Sequence, residues 1–166
     1  MLMKADSFSE VFTRLMTDVG RRVDAADEHA RLDLYRSLLS DEHWRPGVLA
    51  CLALEPDAAL ATSVLAALLE VMMPAERELA LSAAPASGAE FLSTRADELA
   101  VLELVTAEAV DDETALERLV SGSDWLQRRA SEQAEAVAVL SELATRGRTK
   151  KVRARAAERA RHGFRP

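Results

Sequence analysis

Apolar residues in this chain recur every three or four positions, the period of one helix face, and almost nowhere alternate as a half-buried strand requires. Ser7 and Glu10 have the spacing of a capping box, and Phe8, Val11, Phe12, Leu15, Met16 and Val19 keep helical register until Gly20. A second helix is predicted from about Asp27 to Leu39, with Leu34 and Leu38 one turn apart. Pro46, Pro56, Pro74 and Pro85 then cut the middle of the chain into short helices, because proline is tolerated only in a first helical turn. Pro56 and Asp57 open a helix from Ala58 to Met73, Pro74 begins the next, and Pro85, Ser87 and Gly88 mark a loop. Thr94 with Asp97 reads as a weaker capping box ahead of Leu99, Leu102 and Val105, and Asp111 with Asp112 caps a helix through Val120. Strand signals are nearly absent, so the prediction is an all-α protein of about seven to nine helices.

Length and composition bound this picture. A chain of 166 residues suits one domain, here residues 1–166, and buries roughly 70% of its extended surface on folding. The single cysteine, Cys51, lies among Val48, Leu49, Leu52 and Leu54, where it reads as a small buried hydrophobe of a reducing compartment. The first eight residues lack the apolar core of a leader segment. The longest strongly apolar run, Ala58 to Leu69, is shorter than the roughly 20 residues a bilayer span needs. A soluble, cytoplasmic protein without a membrane role is expected. The absence of Ile and Asn and the presence of only three lysines suggest a GC-rich bacterial genome, so a preference for Arg over Lys carries no message by itself.

Charge changes the picture more. Residues 145–166 carry nine basic side chains against Glu158, whereas residues 1–144 hold 12 basic and 27 acidic groups. This segment is expected to form a basic C-terminal helix after Thr149, with a narrow apolar seam of Val152, Ala156 and Ala160 and with Phe164 beyond it. Lys151, Arg155 and Arg159 flank the seam on one side, Arg153 and Arg161 on the other. Such a stripe can neutralise several phosphates, or lie against acidic helices of the same chain or of a partner. The candidate binding residues are therefore Arg146, Arg148, Lys150, Lys151, Arg153, Arg155, Arg159 and Arg161. Against nucleic acid stands the acidic remainder of the chain, which repels a duplex approaching broadside.

Internal echoes organise the helices further. Leu38 to Trp44 aligns without a gap with Leu119 to Trp125, a shift of 81 residues that superposes both tryptophans of the chain. Leu116, Leu119, Arg129, Ala130 and Glu132 are echoed by Leu140, Leu143, Arg155, Ala156 and Glu158 at a shift of 24 growing to 26. Two apolar residues three apart, a polar turn and an Arg/Ala-rich amphipathic segment make the unit that stacked helix pairs require. This texture resembles HEAT-like and leucine-rich-repeat-variant α-solenoids, most clearly over residues 115–161 and more faintly at Leu34 to Leu54 and Val64 to Leu81. The resemblance implies a short α-solenoid of stacked helix pairs with a concave surface for protein or nucleic-acid partners; an irregular α-helical bundle is the alternative.

Catalytic chemistry finds no foothold. His29 has Asp33 one turn on, with Asp24 and Glu28 nearby, but a zinc site takes three or four ligands and an exposed charged helix explains the group. His43 beside Trp44 reads as a turn residue that caps or packs, and His162 lies in the basic tail. No paired-His, Cys-pair, nucleophile-elbow or phosphate-loop motif is present, so no metal and no cofactor is expected. Trp44 and Trp125 are expected to plug the starts of outer helices, and Met72 and Met73 to fill gaps at a helix boundary. The reading is a non-catalytic binding or adaptor module with a protein partner, and with self-association open. A nucleic-acid-binding accessory protein gripping phosphates through its tail comes second, and a HEAT-like alkylated-base glycosylase, which needs a basic groove, comes third.

Overall fold

The structure, a computed structural model, describes residues 6–107 and 113–162, the side chain of His162 excepted. Asp111 and Asp112, expected to cap a helix, and Phe164 lie outside the described residues. Every regular element described is helical. They are α1 (Phe8–Val19), α2 (Glu28–Leu38), α3 (Arg45–Leu52), α4 (Ala58–Val71), α5 (Arg77–Ser82), α6 (Ala89–Thr106), α7 (Glu113–Ser121), α8 (Asp124–Gln133), α9 (Val137–Arg146) and α10 (Lys150–His162), with 3-10 turns at Glu42–Trp44 and Pro74–Glu76. The ten α-helices exceed the seven to nine expected. One added break, between α8 and α9 at Ala134 to Ala136, has neither proline nor glycine; Ala134 there is fully buried in an extended conformation.

Local chemistry accounts for most boundaries. Ser7 and Glu10 form a capping box at the start of α1, which ends at Gly20 with a φ of 69°, the left-handed conformation that suits a residue without Cβ. Asp27, Asp57 and Ser123 accept backbone N–H bonds at the starts of α2, α4 and α8, as Thr149 does from the Val152 amide at 3.2 Å for α10. Helix α4 stops at Val71, short of the expected Met73. Met72 and Met73 are extended, as the residue before Pro74 must be, and Pro74 opens a 3-10 turn ahead of α5. Gap filling fits Met72, which is buried, but not Met73, which is 64% exposed. The Thr94/Asp97 capping box does not form. Helix α6 runs through it from Ala89, and the Thr94 hydroxyl donates to the Glu90 carbonyl one turn back, the mid-helix option open to threonine.

The chain divides into two compact units, residues 1–96 and 97–166. In the N-terminal unit α1 packs on α3, α2 on α3 and α4, and α4 on α5. Helix α4 is apolar nearly all round and buries Leu60, Ala61, Val64, Leu65, Leu68 and Leu69, the behaviour of a core helix. Each fully buried leucine of this kind contributes about 1.5–3 kcal/mol. In the C-terminal unit α7 packs on α8 and α9, α8 on α9, and α10 on both α8 and α9. Each of these helices thus packs chiefly on its nearest and next-nearest neighbours in sequence. Of the echoed positions, Leu119 and Leu143 on α7 and α9, and Ala130 and Ala156 on α8 and α10, are fully buried, whereas Leu116 is half-buried and its counterpart Leu140 is buried. Trp44 and Trp125, half-buried, both stand where a short turn meets a helix start. Cys51 is fully buried.

Candidate functional site

The basic segment is seated by neutral chemistry. Gln127 of α8, fully buried, donates from its amide nitrogen to the carbonyls of Leu119 (3.3 Å) and Val120 (2.6 Å) at the end of α7. Its amide oxygen accepts the Arg148 backbone N–H at 2.7 Å in the turn before α10. One side chain therefore satisfies helix-end carbonyls and pins the entry to the next helix, groups whose burial without partners is costly. Gly147 makes the turn tight, since a Cβ there would press on the Leu143 carbonyl oxygen and the Val152 side chain. The seam then docks as expected, with Val152 and Ala156 buried and Ala160 half-buried.

The eight candidate cations fall into three groups. Arg146 pairs with Glu117 at 2.6 Å and Glu142 at 3.3 Å, and Arg155 pairs with Glu132. The Arg146 hydrogen bond and charge hold the Glu117 carboxyl below its ordinary range and raise the Arg146 guanidinium. Arg153, Arg159 and Arg161 donate to the carbonyls of Gly147, Ser131 and Ala157 respectively and keep their net charge. The side chains of Arg148, Lys150 and Lys151 are exposed and make no ion pair or hydrogen bond among the described residues. The flank expected to carry Lys151, Arg155 and Arg159 is the one that faces α8. It encloses a cavity of about 250 Å³, lined by Asp124, Arg128 and Ser131 of α8 and by Thr149, Lys151, Val152 and Arg155 at the start of α10. Arg128, exposed and likewise without a partner among the described residues, escaped the sequence reading because it lies outside the basic run.

The remaining candidate chemistry separates. His29 and Asp33 are exposed on α2, and among the described residues no group of three His, Cys, Asp or Glu stands where it can hold a metal ion. His43 packs edge-on against Trp44 with ring centroids 4.6 Å apart. Burial pushes the Cys51 thiol up to about 12, assisted by the negative charge of Glu55 and opposed by a hydrogen bond with Tyr35, so the thiolate of a nucleophile does not form there at neutral pH.

A second polar cluster was missed from sequence. Arg31 makes a two-pronged pair with Glu55, at 2.8 Å and 3.3 Å, inside the N-terminal unit; it also donates to the Ala25 carbonyl at 2.6 Å, while the Tyr35 hydroxyl donates to Glu55 at 3.0 Å. The Glu55 side chain is fully buried and that of Arg31 is 6% exposed. Buried pairs of this kind hold registry between elements. The signal available in sequence was slight, one Arg of a charged helix and one Glu before a proline, 24 positions apart.

The chain matches no protein-family model, and no curated protein or solved structure shows significant similarity to it. Its class is that of an all-α protein in which a basic last helix packs on the acidic remainder of its own unit, residues 97–144. No described helix is long and apolar enough to cross a membrane.

Proposed function

We propose that this protein is a non-catalytic binding module of the cytoplasm, built of HEAT-like stacked helix pairs, that engages a protein partner. The observation that carries the reading is a run of exposed apolar side chains on one helix–turn–helix segment of the N-terminal unit: Val71, Met73 and Leu79 are 46, 64 and 61% exposed. Single exposed apolar residues are ordinary, but several on one segment mark a contact surface. The buried matches at Leu119 and Leu143 and at Ala130 and Ala156 support the repeat reading. The test is affinity capture with the wild-type chain and with a Val71→Ser, Met73→Ser, Leu79→Ser variant, followed by titration of the purified partner. Loss of binding by a variant of unchanged thermal midpoint supports the reading, and equal binding ends it. A dimer seen by sedimentation and lost in that variant identifies the partner as a second copy.

The second reading, a nucleic-acid accessory role, is favoured by the unpaired Arg148, Lys150 and Lys151 at the start of α10. Fluorescence anisotropy with a labelled duplex at low and moderate salt decides it, because phosphate contacts weaken steeply with salt. No binding at low salt removes it.

A further inference from the structure

We propose that the cavity between α8 and α10 receives a phosphate monoester carried by a partner protein, a phosphoserine or phosphothreonine side chain. This rests on the protein-partner reading above and names what the partner presents. Arg128 and Lys151 enter the lining from different helices, and neither spends its donors on another described group. Arg155 stands beside them, oriented by its pair with Glu132 while the rest of its fork stays open. Thr149 accepts the Val152 amide on its oxygen, which leaves its hydroxyl hydrogen to donate. Ser131 commits its hydroxyl to the Arg128 carbonyl and adds only wall.

Charge and size select the ligand. Setting Asp124 and Glu132 against Arg128, Lys151 and Arg155 leaves the site with a single net positive charge. That suits one group carrying about −1.5 to −2 charges. Arginine forks and a lysine point charge are the side chains that recognise such a group, shared among several donors. At about 250 Å³ the cavity falls below the roughly 300–1,000 Å³ of small-molecule sites, so it takes a headgroup and not a cofactor. A polymer of phosphates is disfavoured, because residues 97–144 carry 12 acidic groups against three basic ones.

The experiment is calorimetric and NMR titration of the full chain with inorganic phosphate, with a phosphoserine peptide of uncharged flanks, with its unphosphorylated twin and with a short DNA duplex. The expected result is binding of the phosphopeptide and not of its twin, with phosphate competing. Lys151→Ala or Arg128→Ala weakens it roughly tenfold, the loss of one charge-assisted hydrogen bond. Arg118→Ala, which removes an exposed cation of the same unit outside the cavity, leaves it unchanged. Asp124→Asn strengthens it a few-fold, and affinity falls below pH about 6 as the ester takes up a proton. Equal binding of the twin, or equal loss from Arg118→Ala, overturns the proposal. So does duplex binding that Lys151→Ala abolishes while the phosphopeptide is ignored, which assigns the cavity to nucleic acid. The two levels fail separately: phosphopeptide binding by a chain that captures no partner ends the module reading alone, whereas a captured partner still held after phosphatase treatment ends the cavity proposal alone.

Discussion

Three arginines of the N-terminal unit, Arg31, Arg45 and Arg77, are buried, whereas no described Lys or Arg of the C-terminal unit is. The buried arginines serve the fold. Arg31 holds Glu55, Arg45 reaches Glu76 and the Val71 carbonyl at 3.2 Å each, and Arg77 donates to the Leu69 carbonyl at 3.2 Å. Two of them therefore bind carbonyls at the end of α4. In the C-terminal unit the same task at the end of α7 falls to the neutral Gln127. The contrast shows that a count of charges does not measure what is offered to a partner: burial withdraws cations in one unit, and an amide frees them for the surface in the other.

The largest expected effect comes from breaking the buried pair. Arg31→Met leaves Glu55 without its counter-charge and is predicted to destabilise the protein by about 3–5 kcal/mol, measured by urea unfolding. Adding Glu55→Met to it is predicted to restore much of the loss; if the double variant is as unstable as the single, the pair is not the cause. Next comes Gln127→Leu, which strands the Val120 carbonyl and the Arg148 N–H, while the Leu119 carbonyl keeps the Gly122 N–H bond at 3.2 Å, for a loss of about 2–3 kcal/mol. Hydrogen exchange is expected to show the protection lost mainly in α10, and uniform loss over the chain would contradict a local clamp. Gly147→Ala crowds the Leu143 carbonyl and is predicted to cost about 1–3 kcal/mol by the same assay, again concentrated at α10.

Smaller effects test protonation. With its thiol pushed up to about 12, Cys51 is expected to react with a thiol reagent only as fast as the protein opens, and immediate labelling of the native chain would refute its burial. Because the folded value lies above the ordinary one, this group's contribution to stability is complete below pH about 8.5 and is lost as pH rises toward 12. At the acid end, Glu10 and Asp57 accept helix-start N–H bonds, Glu117 accepts bonds from Arg146, and all three carboxyls lie below their ordinary values. Their contribution is present above pH about 4 and falls as they protonate, so Glu117→Gln is predicted to flatten the acid limb slightly in a pH series of thermal midpoints.

The helical class, the ends of α1 and α2, the start of α4 and the docking of the Val152–Ala156 seam were legible because each rests on residues within a turn or two of one another. The Thr94 capping box failed because the Thr94 hydroxyl bonds the Glu90 carbonyl of the preceding turn, so α6 runs on through the motif. The break at Ala134 carries no proline or glycine, and only the echo that ends one unit at Glu132 and begins the next at Leu140 implied it. At the candidate site the basic run was legible as charge. Its division into paired, carbonyl-bound and open cations was not, since Glu117 and Glu132 lie 29 and 23 residues from their arginines.

Sequence alone determined that this chain is helical and that its charge is concentrated at one end, because helix period and charge are properties of neighbouring residues. Tertiary structure alone decided which cations are consumed and which line a cavity. Ion pairs, desolvation and the meeting of Arg128 with Lys151 depend on contacts between helices, and a linear pattern does not encode such distances.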